Sequence, residues 1–207
     1  MVLFAHGSGS SRHSPRNRQV AGRLQAAGYA TLLIDLLTEA EERVDAVTRA
    51  LRFDVGLLAG RLTAAADWLT GHAGTSGLPL AVFGASTGAA AALTTAADRP
   101  DLVGAVISRG GRPDLAAGDL ARVRAPTLLV VGGADQQVLE LNRRAAARLG
   151  APHDLVVIAG ATHLFPEEGA LEQVVDRSIR WLDRWLPPRH PDAGSLPTEP
   201  EGTAGCH

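Results

Sequence analysis

The 207-residue chain contains no lysine, since all 20 of its basic residues are arginine. A phosphate-binding loop built on lysine, a Ser-Lys dyad and a Schiff-base lysine are therefore excluded. Cysteine is nearly absent too. Cys206 stands alone, second from the C-terminus, so no intrachain disulfide, Cys-ligated zinc or core cysteine nucleophile can form. That usage fits a reducing compartment. An excess of one charge is also missing: 22 acidic residues against 20 basic ones leave a net charge of −2, so a nucleic acid is not an expected partner. No apolar run reaches the roughly 18–20 residues that cross a bilayer. Residues Met1–Gly7 lack the basic and apolar regions of a leader, which makes the expected location the cytoplasm and a membrane no partner.

What is present is a 45% apolar, 20% charged composition, ordinary for one buried domain. Short apolar runs at Val2–Ala5, Ala30–Leu36, Leu80–Phe83, Leu102–Ser108, Thr127–Val131 and Leu155–Ile158 read as strands. They are continuous, as expected where both faces of a parallel sheet are covered. Helical stripes lie between them. Ser14-Pro15 opens the first, with Val20, Leu24 and Ala27 on one face and Gly28 as its stop. Val55, Leu58, Leu62, Ala65 and Leu69 mark the next, and Ala89–Ala97 forms an alanine-rich one. Val138, Leu141, Ala145 and Leu149 make a fourth stripe, and Leu171, Val175, Leu182 and Trp185 a last one before Pro187-Pro188. The predicted fold class is α/β: a three-layer α/β/α sandwich over a mostly parallel sheet of about six strands. Residues 1–186 form the domain. Residues 187–207, with five prolines and three glycines, form an expected disordered tail. Thr38–Asp54 reads as a solvated, lid-like excursion, and Trp68, Trp181 and Trp185 as packing residues.

Ligands of such a sheet gather beyond the carboxyl ends of its strands, and five motifs fall there. Gly84-Ala85-Ser86-Thr87-Gly88 joins a strand directly to the alanine-rich helix. Small residues at 84 and 88 permit a sharp turn that presents Ser86 Oγ above a helix N-terminus. A serine hydroxyl needs a base and an orienting acid. His163 follows the last strand and Asp135 the one before it, in the chain order Ser, Asp, His of a nucleophile elbow. Asp135 could also cap the helix beginning near Gln137. Asp114, in Ser108-Arg109-Gly110-Gly111-Arg112-Pro113-Asp114, is the alternative acid. His6-Gly7-Ser8-Gly9-Ser10 follows the first strand, and its glycines let the backbone approach a ligand. The Ser8 and Thr87 N–H groups are candidate oxyanion donors. A dinucleotide GxGxxG fails where Arg12 replaces the third glycine, and Asp35 reads as structural. His6, Gly7, Arg12 and Arg109 are candidate substrate-binding residues. Arg109 and the arginines of the stretch 10–18 would select a carboxylate or phosphate, brace the acid loop or simply solvate it. The remaining histidines form no metal pattern.

Over residues 2–186 the chain resembles the α/β-hydrolases, most closely the small, cap-less dienelactone-hydrolase-like group. The resemblance implies Ser86 as nucleophile, His163 as base, Asp135 as acid, Ser8 and Thr87 as oxyanion donors, and no metal or organic cofactor. The enzymes that name the group use cysteine where this chain has Ser86, so the implied chemistry is that of a serine esterase acting on a small ester or lactone. Alternatives are an acyltransferase or perhydrolase with the same residues, and a non-catalytic binding module. The family has two antiparallel strands ahead of the first strand seen here. Without them Ala30–Leu36 would form an exposed apolar edge, to be covered by missing upstream residues or by a second copy of the chain. In the second case a charge at Leu33 or Leu36 would give monomers.

Overall fold

The alternation of apolar runs and helical stripes yields six strands in the computed structural model, which describes residues 1–186. They are β1 (Val2–Ala5), β2 (Thr31–Leu33), β3 (Leu80–Ala85), β4 (Val103–Arg109), β5 (Thr127–Gly132) and β6 (His153–Ile158). Every neighbouring pair is parallel, in the order β2-β1-β3-β4-β5-β6. After β1 the chain moves outward to β2, then crosses back to place β3 on the other side of β1. The carboxyl ends of β1 and β3 therefore flank a topological switch point, where an open α/β sheet leaves a crevice.

Helices cover both faces. α1 (Pro15–Ala26) and α6 (Ala170–Trp185) pack one face, with Val20, Leu24, Val174 and Leu182 meeting Phe4, Phe83 and Ile107. Phe4 and Phe83 stack with ring centroids 4.8 Å apart. The other face carries α3 (Val55–Gly71), α4 (Thr87–Asp98) and α5 (Gln136–Ala146). Ala89–Ala92 are wholly buried, and their small side chains let α4 lie close to the strands. Thr63 of α3 donates to Thr95 of α4 at 3.0 Å, which satisfies two buried hydroxyls. No described helix is long and apolar enough to cross a membrane. The expected tail, with Cys206, lies outside the described residues.

Three sequence expectations need correction. The edge strand is Thr31–Leu33 rather than Ala30–Leu36, because Leu36 donates its N–H to His6 Nε2 at 3.0 Å and turns into the core at 1% exposure. A charge at Leu36 would break the core instead of reporting on an interface. Trp68 is 57% exposed, stacked on His72 at 4.5 Å, because Leu58, Leu62, Ala66 and Leu69 take the inward face of α3. β6, at the opposite edge, is only half covered, with Val157 44% exposed.

The stretch 38–54 is solvated over most of its length, as expected, with Asp45 its one buried residue. It forms α2 (Glu39–Thr48) and a short 3-10 turn, Leu51–Phe53. Asp45 is 3% exposed and accepts from Arg52 N at 2.9 Å and Arg52 Nε at 2.6 Å. Thr38 and Glu41 close a capping box, and Arg61 of α3 grips Glu41 at 2.6 and 3.1 Å and the Leu36 carbonyl at 2.9 Å. Arg61, then Thr38, hold the Glu41 carboxyl down at about 2, against an ordinary 4.5. A depressed carboxyl contributes stability above its ordinary value and loses it as pH falls through the folded one. Hydrogen exchange across 39–53 should therefore stay slow until pH falls well below 4.5, and Arg61→Met should move the loosening up toward that value. Identical pH profiles in both proteins would refute this fastening.

Candidate active site

Residues from five strand ends meet at the crevice. Ser86 sits between β3 and α4 at φ 52° and ψ −121°, a conformation costly for a residue with a Cβ. The flanking glycines make the turn sterically possible. A Cβ on Gly84 would lie 2.5 Å from Gly88 O, and one on Gly88 would lie 2.5 Å from His6 O. The backbone of Ser86 is held from the β4 side: its N–H donates to Arg109 O at 3.2 Å, and its carbonyl accepts from Arg112 N at 3.0 Å. That grip keeps the strained turn in place.

His163 stands on the loop between β6 and α6. Its Nε2 lies 3.3 Å from Ser86 Oγ, and its Nδ1 lies 2.7 Å from Asp135 Oδ2. A carboxylate facing Nδ1 places the ring proton there, which leaves the Nε2 lone pair toward the serine hydroxyl. At 3.3 Å the ring nitrogen is within hydrogen-bond reach of the serine hydroxyl. Two backbone bonds dock the Asp135 turn on the His163 loop: Gly133 N to Ile158 O at 2.8 Å and Ala134 N to Ala161 O at 2.9 Å. Phe165, buried at φ 55°, anchors that loop from beneath.

Asp135 does both things its position allows. Oδ2 meets His163, while Oδ1 caps α5 by accepting from Val138 N at 3.4 Å. Asp114 is committed elsewhere, in a two-bond pair with Arg112 at 2.8 and 2.7 Å. The loop bearing Arg112 is itself braced by buried Asn142, whose Nδ2 donates to Gly111 O at 2.9 Å. Nothing in the pattern around Asn142 marked it out, because it stands in place of an apolar residue on the inner face of α5.

The glycine loop after β1 lies across the serine. A Cβ on Gly7 would meet Ser86 Cβ at 3.0 Å. The Thr87 N–H opens α4, and such first-turn groups have no partner within the helix. Ser8 follows the glycine that packs on Ser86, and Thr87 follows Ser86 itself. Both line a cavity of about 410 Å³ walled by His6, Gly7, Leu36 and Leu58, with Glu42, Asp45 and Arg52 on its outer side. Ser86 and His163 do not line it; Thr87, next to Ser86, is its link to the elbow. The signal that could have placed Asp45 here was its position one turn from Glu42 on the same face of α2; sequence reasoning put it in solvent.

Two candidate binding residues are engaged elsewhere. His6 is buried with both ring nitrogens used, Nδ1 2.9 Å from Gly7 O and Nε2 accepting from Leu36 N. It braces the loop. Arg12 is exposed and pairs with Asp35, which also accepts from the Arg12 N–H at 2.6 Å, so it pins the loop to the end of β2. Asp35 is structural, as the sequence suggested. Arg109 is buried at the end of β4.

Comparison with known proteins places this architecture. The dienelactone hydrolase family model matches residues 4–182. A crystal structure of a dienelactone hydrolase from Anabaena variabilis ATCC 29413 is 58% identical, with a TM-score of 0.88 over 89% of this chain and 86% of that one. Est1E from Butyrivibrio proteoclasticus shares the fold at 16% identity, with a TM-score of 0.74 over 89% and 87% of the two chains. Two Mycobacterium tuberculosis proteins named "Putative phosphoribosyl transferase" are 58% identical over 182 residues, 88% of this chain. The chain spans 40% of the length of those relatives. The parallel sheet, the elbow at Ser86 and a family match over nearly all the described residues agree: the chain belongs to the dienelactone hydrolase family.

Proposed function

We propose that the chain is a serine hydrolase that cleaves a small carboxylic ester or lactone through an acyl-enzyme on Ser86. The observation that carries this reading is the unbroken hydrogen-bonded series from Asp135 through His163 to Ser86. Ser86 Oγ attacks the carbonyl carbon as His163 Nε2 takes its proton. Asp135 keeps the imidazole in the right tautomer and stabilises it once charged. The carbonyl oxygen, now an anion, is received by the Ser8 and Thr87 N–H groups, fixed in place before the charge develops. Collapse expels the alcohol, protonated by His163, and leaves the acyl group on Ser86. Water, deprotonated by the same histidine, then releases the acid. This chemistry draws on the protein's own groups and calls for no cofactor. The transferase name of the mycobacterial relatives attaches to proteins of which this chain matches 40%, so it gives no separate reading of Ser86.

Intact-mass analysis after treatment with a fluorophosphonate tests the proposal. These reagents modify serines that have a base and an oxyanion hole beside them. One adduct on the wild type and none on Ser86→Ala is the expected result. A folded wild-type protein that takes up no reagent would favour the binding-module reading instead.

A further inference from the structure

A line of hydrogen bonds runs from the side chain of Asn142, on α5, to Ser86. The side chain is 0% exposed, and its Nδ2 donates to Gly111 O at 2.9 Å and to Val138 O at 2.8 Å. Both partners are carbonyl oxygens, which only the NH₂ end of an amide can serve, so its neighbours settle which way the group faces. Gly111 O and Arg112 N belong to one peptide unit. The Arg112 N–H donates onward to Ser86 O at 3.0 Å, and Ser86 O shares the next peptide unit with the Thr87 N–H. No described peptide bond is cis, so in each unit the oxygen and the hydrogen point opposite ways. The series therefore passes from Asn142 through two aligned peptide dipoles and ends on the Thr87 N–H.

The middle of this line is held on several sides. Gly110 N donates to Val130 O at 2.8 Å, and a Cβ on Gly110 would lie 3.0 Å from His163 O. A Cβ on Gly111 would lie 2.6 Å from Ala89 Cβ and strike Ser108 Oγ. The turn is thus clamped among β5, α4 and the His163 loop, and Asn142 supplies its hold on α5. Val138, whose carbonyl Asn142 also grips, is the residue whose N–H Asp135 caps. One amide joins the helix start that carries Asp135 to the turn that grips Ser86. Asn142 shares the buried face of α5 with Val138, Leu139 and Ala145, and its Oδ1 is buried without a partner among the described residues. What it adds over an apolar residue there is a pair of N–H donors, at the cost of an acceptor left alone.

We infer that Asn142 is a positioning residue for the reaction at Ser86: through the Gly111–Arg112 peptide it fixes the plane of the Ser86–Thr87 peptide, and so aims and strengthens the Thr87 N–H toward the developing oxyanion. The inference rests on the hydrolase reading above and adds to it how one donor is held. A donor on a peptide oxygen polarises the N–H at the far end of the same unit, so bonds in series strengthen one another. The Ala89 N–H also reaches Ser86 O, at 3.1 Å, but it belongs to α4 and moves with Thr87. The Arg112 N–H comes from the loop after β4 and ties the donor to the rest of the sheet.

The test is hydrolysis of p-nitrophenyl acetate and of its thiono analogue, in which sulfur replaces the carbonyl oxygen, by the wild type, Asn142→Leu and Asn142→Ser. Sulfur is larger and a weaker acceptor, so the oxo-to-thiono ratio of kcat/KM reads the oxyanion donors rather than the state of the fold. Asn142→Leu removes both N–H bonds. Asn142→Ser keeps a bond to Val138 O, of the kind Ser178 makes to Val174 O at 2.7 Å in α6, and loses its reach to Gly111. Outright loss of an oxyanion donor costs about 10²–10³ in kcat, and a donor kept but loosened should cost about 10–30-fold. Both variants should show that fall in kcat, a KM within about threefold of the wild type, and an oxo-to-thiono ratio lowered to match. Unchanged kcat in both overturns the inference. A fall in kcat with the ratio preserved, or an Asn142→Ser as active as the wild type, also overturns it and leaves Asn142 a packing residue. Where a variant does not fold, scalar couplings across the two hydrogen bonds of the wild type decide. Asn142 Nδ2 should couple to the Gly111 carbonyl carbon and Arg112 N to that of Ser86, and absence of either coupling overturns the relay. Fluorophosphonate labelling runs beside the assays: labelled Ser86 with an unimpaired Asn142→Leu sinks this inference alone, whereas unlabelled wild-type Ser86 sinks the hydrolase reading beneath it.

Discussion

Under the proposed mechanism Ser86→Ala should lower turnover of an activated ester by about 10⁵–10⁶-fold, because the proposed attacking atom is gone and the proposed base, acid and oxyanion donors have nothing to act on. Ser86→Gly should be equally inactive and yet more stable than Ser86→Ala. At φ 52° and ψ −121° a Cβ is strained, and alanine keeps that strain while glycine releases it. Such strain is worth roughly 1–3 kcal/mol. Glycine gives back roughly 0.5–1 kcal/mol through its freer unfolded chain. The net expectation is a gain of about 0.5–2 kcal/mol for Ser86→Gly over Ser86→Ala, read from urea midpoints at equal slope. A less stable Ser86→Gly would mean that the elbow is not where this fold holds its strain. The Arg109 and Arg112 backbone bonds to Ser86 are what keep the turn bent, so the strain belongs to the sheet as a whole.

The strand ends were legible because each carries a chemical mark that tertiary context cannot easily mimic. Gly84 and Gly88 bracket the serine where any Cβ would strike backbone, and Pro15 and Gly28 bound α1. Once the strands were placed, the parallel topology brought Ser86, Asp135 and His163 to one edge. What the sequence hid depends on packing partners distant along the chain. Leu36 looks like strand, and only the bond from its N–H to His6, 30 residues away, shows why the ladder stops at Leu33. Trp68 was expected inside because it is large and apolar, but the inward face of α3 was already filled by leucine and alanine. Asp45 looked solvated among its charged neighbours, and its burial depends on Arg52 folding back over it. Arg12 and Arg16 are indistinguishable in a polar run of residues. Asp35 claims the first, and the helix geometry turns the second inward.

Asp135→Asn should lower kcat by about 10⁴-fold with little change in stability, through the tautomer of His163. The reason lies in the double role of this side chain. Oδ1 accepts from Val138 N to cap α5, while Oδ2 accepts from His163 Nδ1. An asparagine has one acceptor to divide between these two donors. Keeping the cap turns its amide nitrogen toward His163, which forces Nδ1 to accept and moves the ring proton to Nε2. The lone pair that should receive the Ser86 proton is then lost. The flipped amide would restore the tautomer only by setting N–H against N–H at the start of α5. Since the cap is retained, the melting temperature should stay near that of the wild type, whereas Asp135→Ala should also lose about 1 kcal/mol with its cap. Asp114→Asn is the control. It breaks a part-exposed pair with Arg112 and should change kcat by no more than about threefold, in keeping with the small worth of such pairs. Equal losses in Asp135→Asn and Asp114→Asn would move the acid from β5 to the loop after β4, and with it the route by which His163 is held.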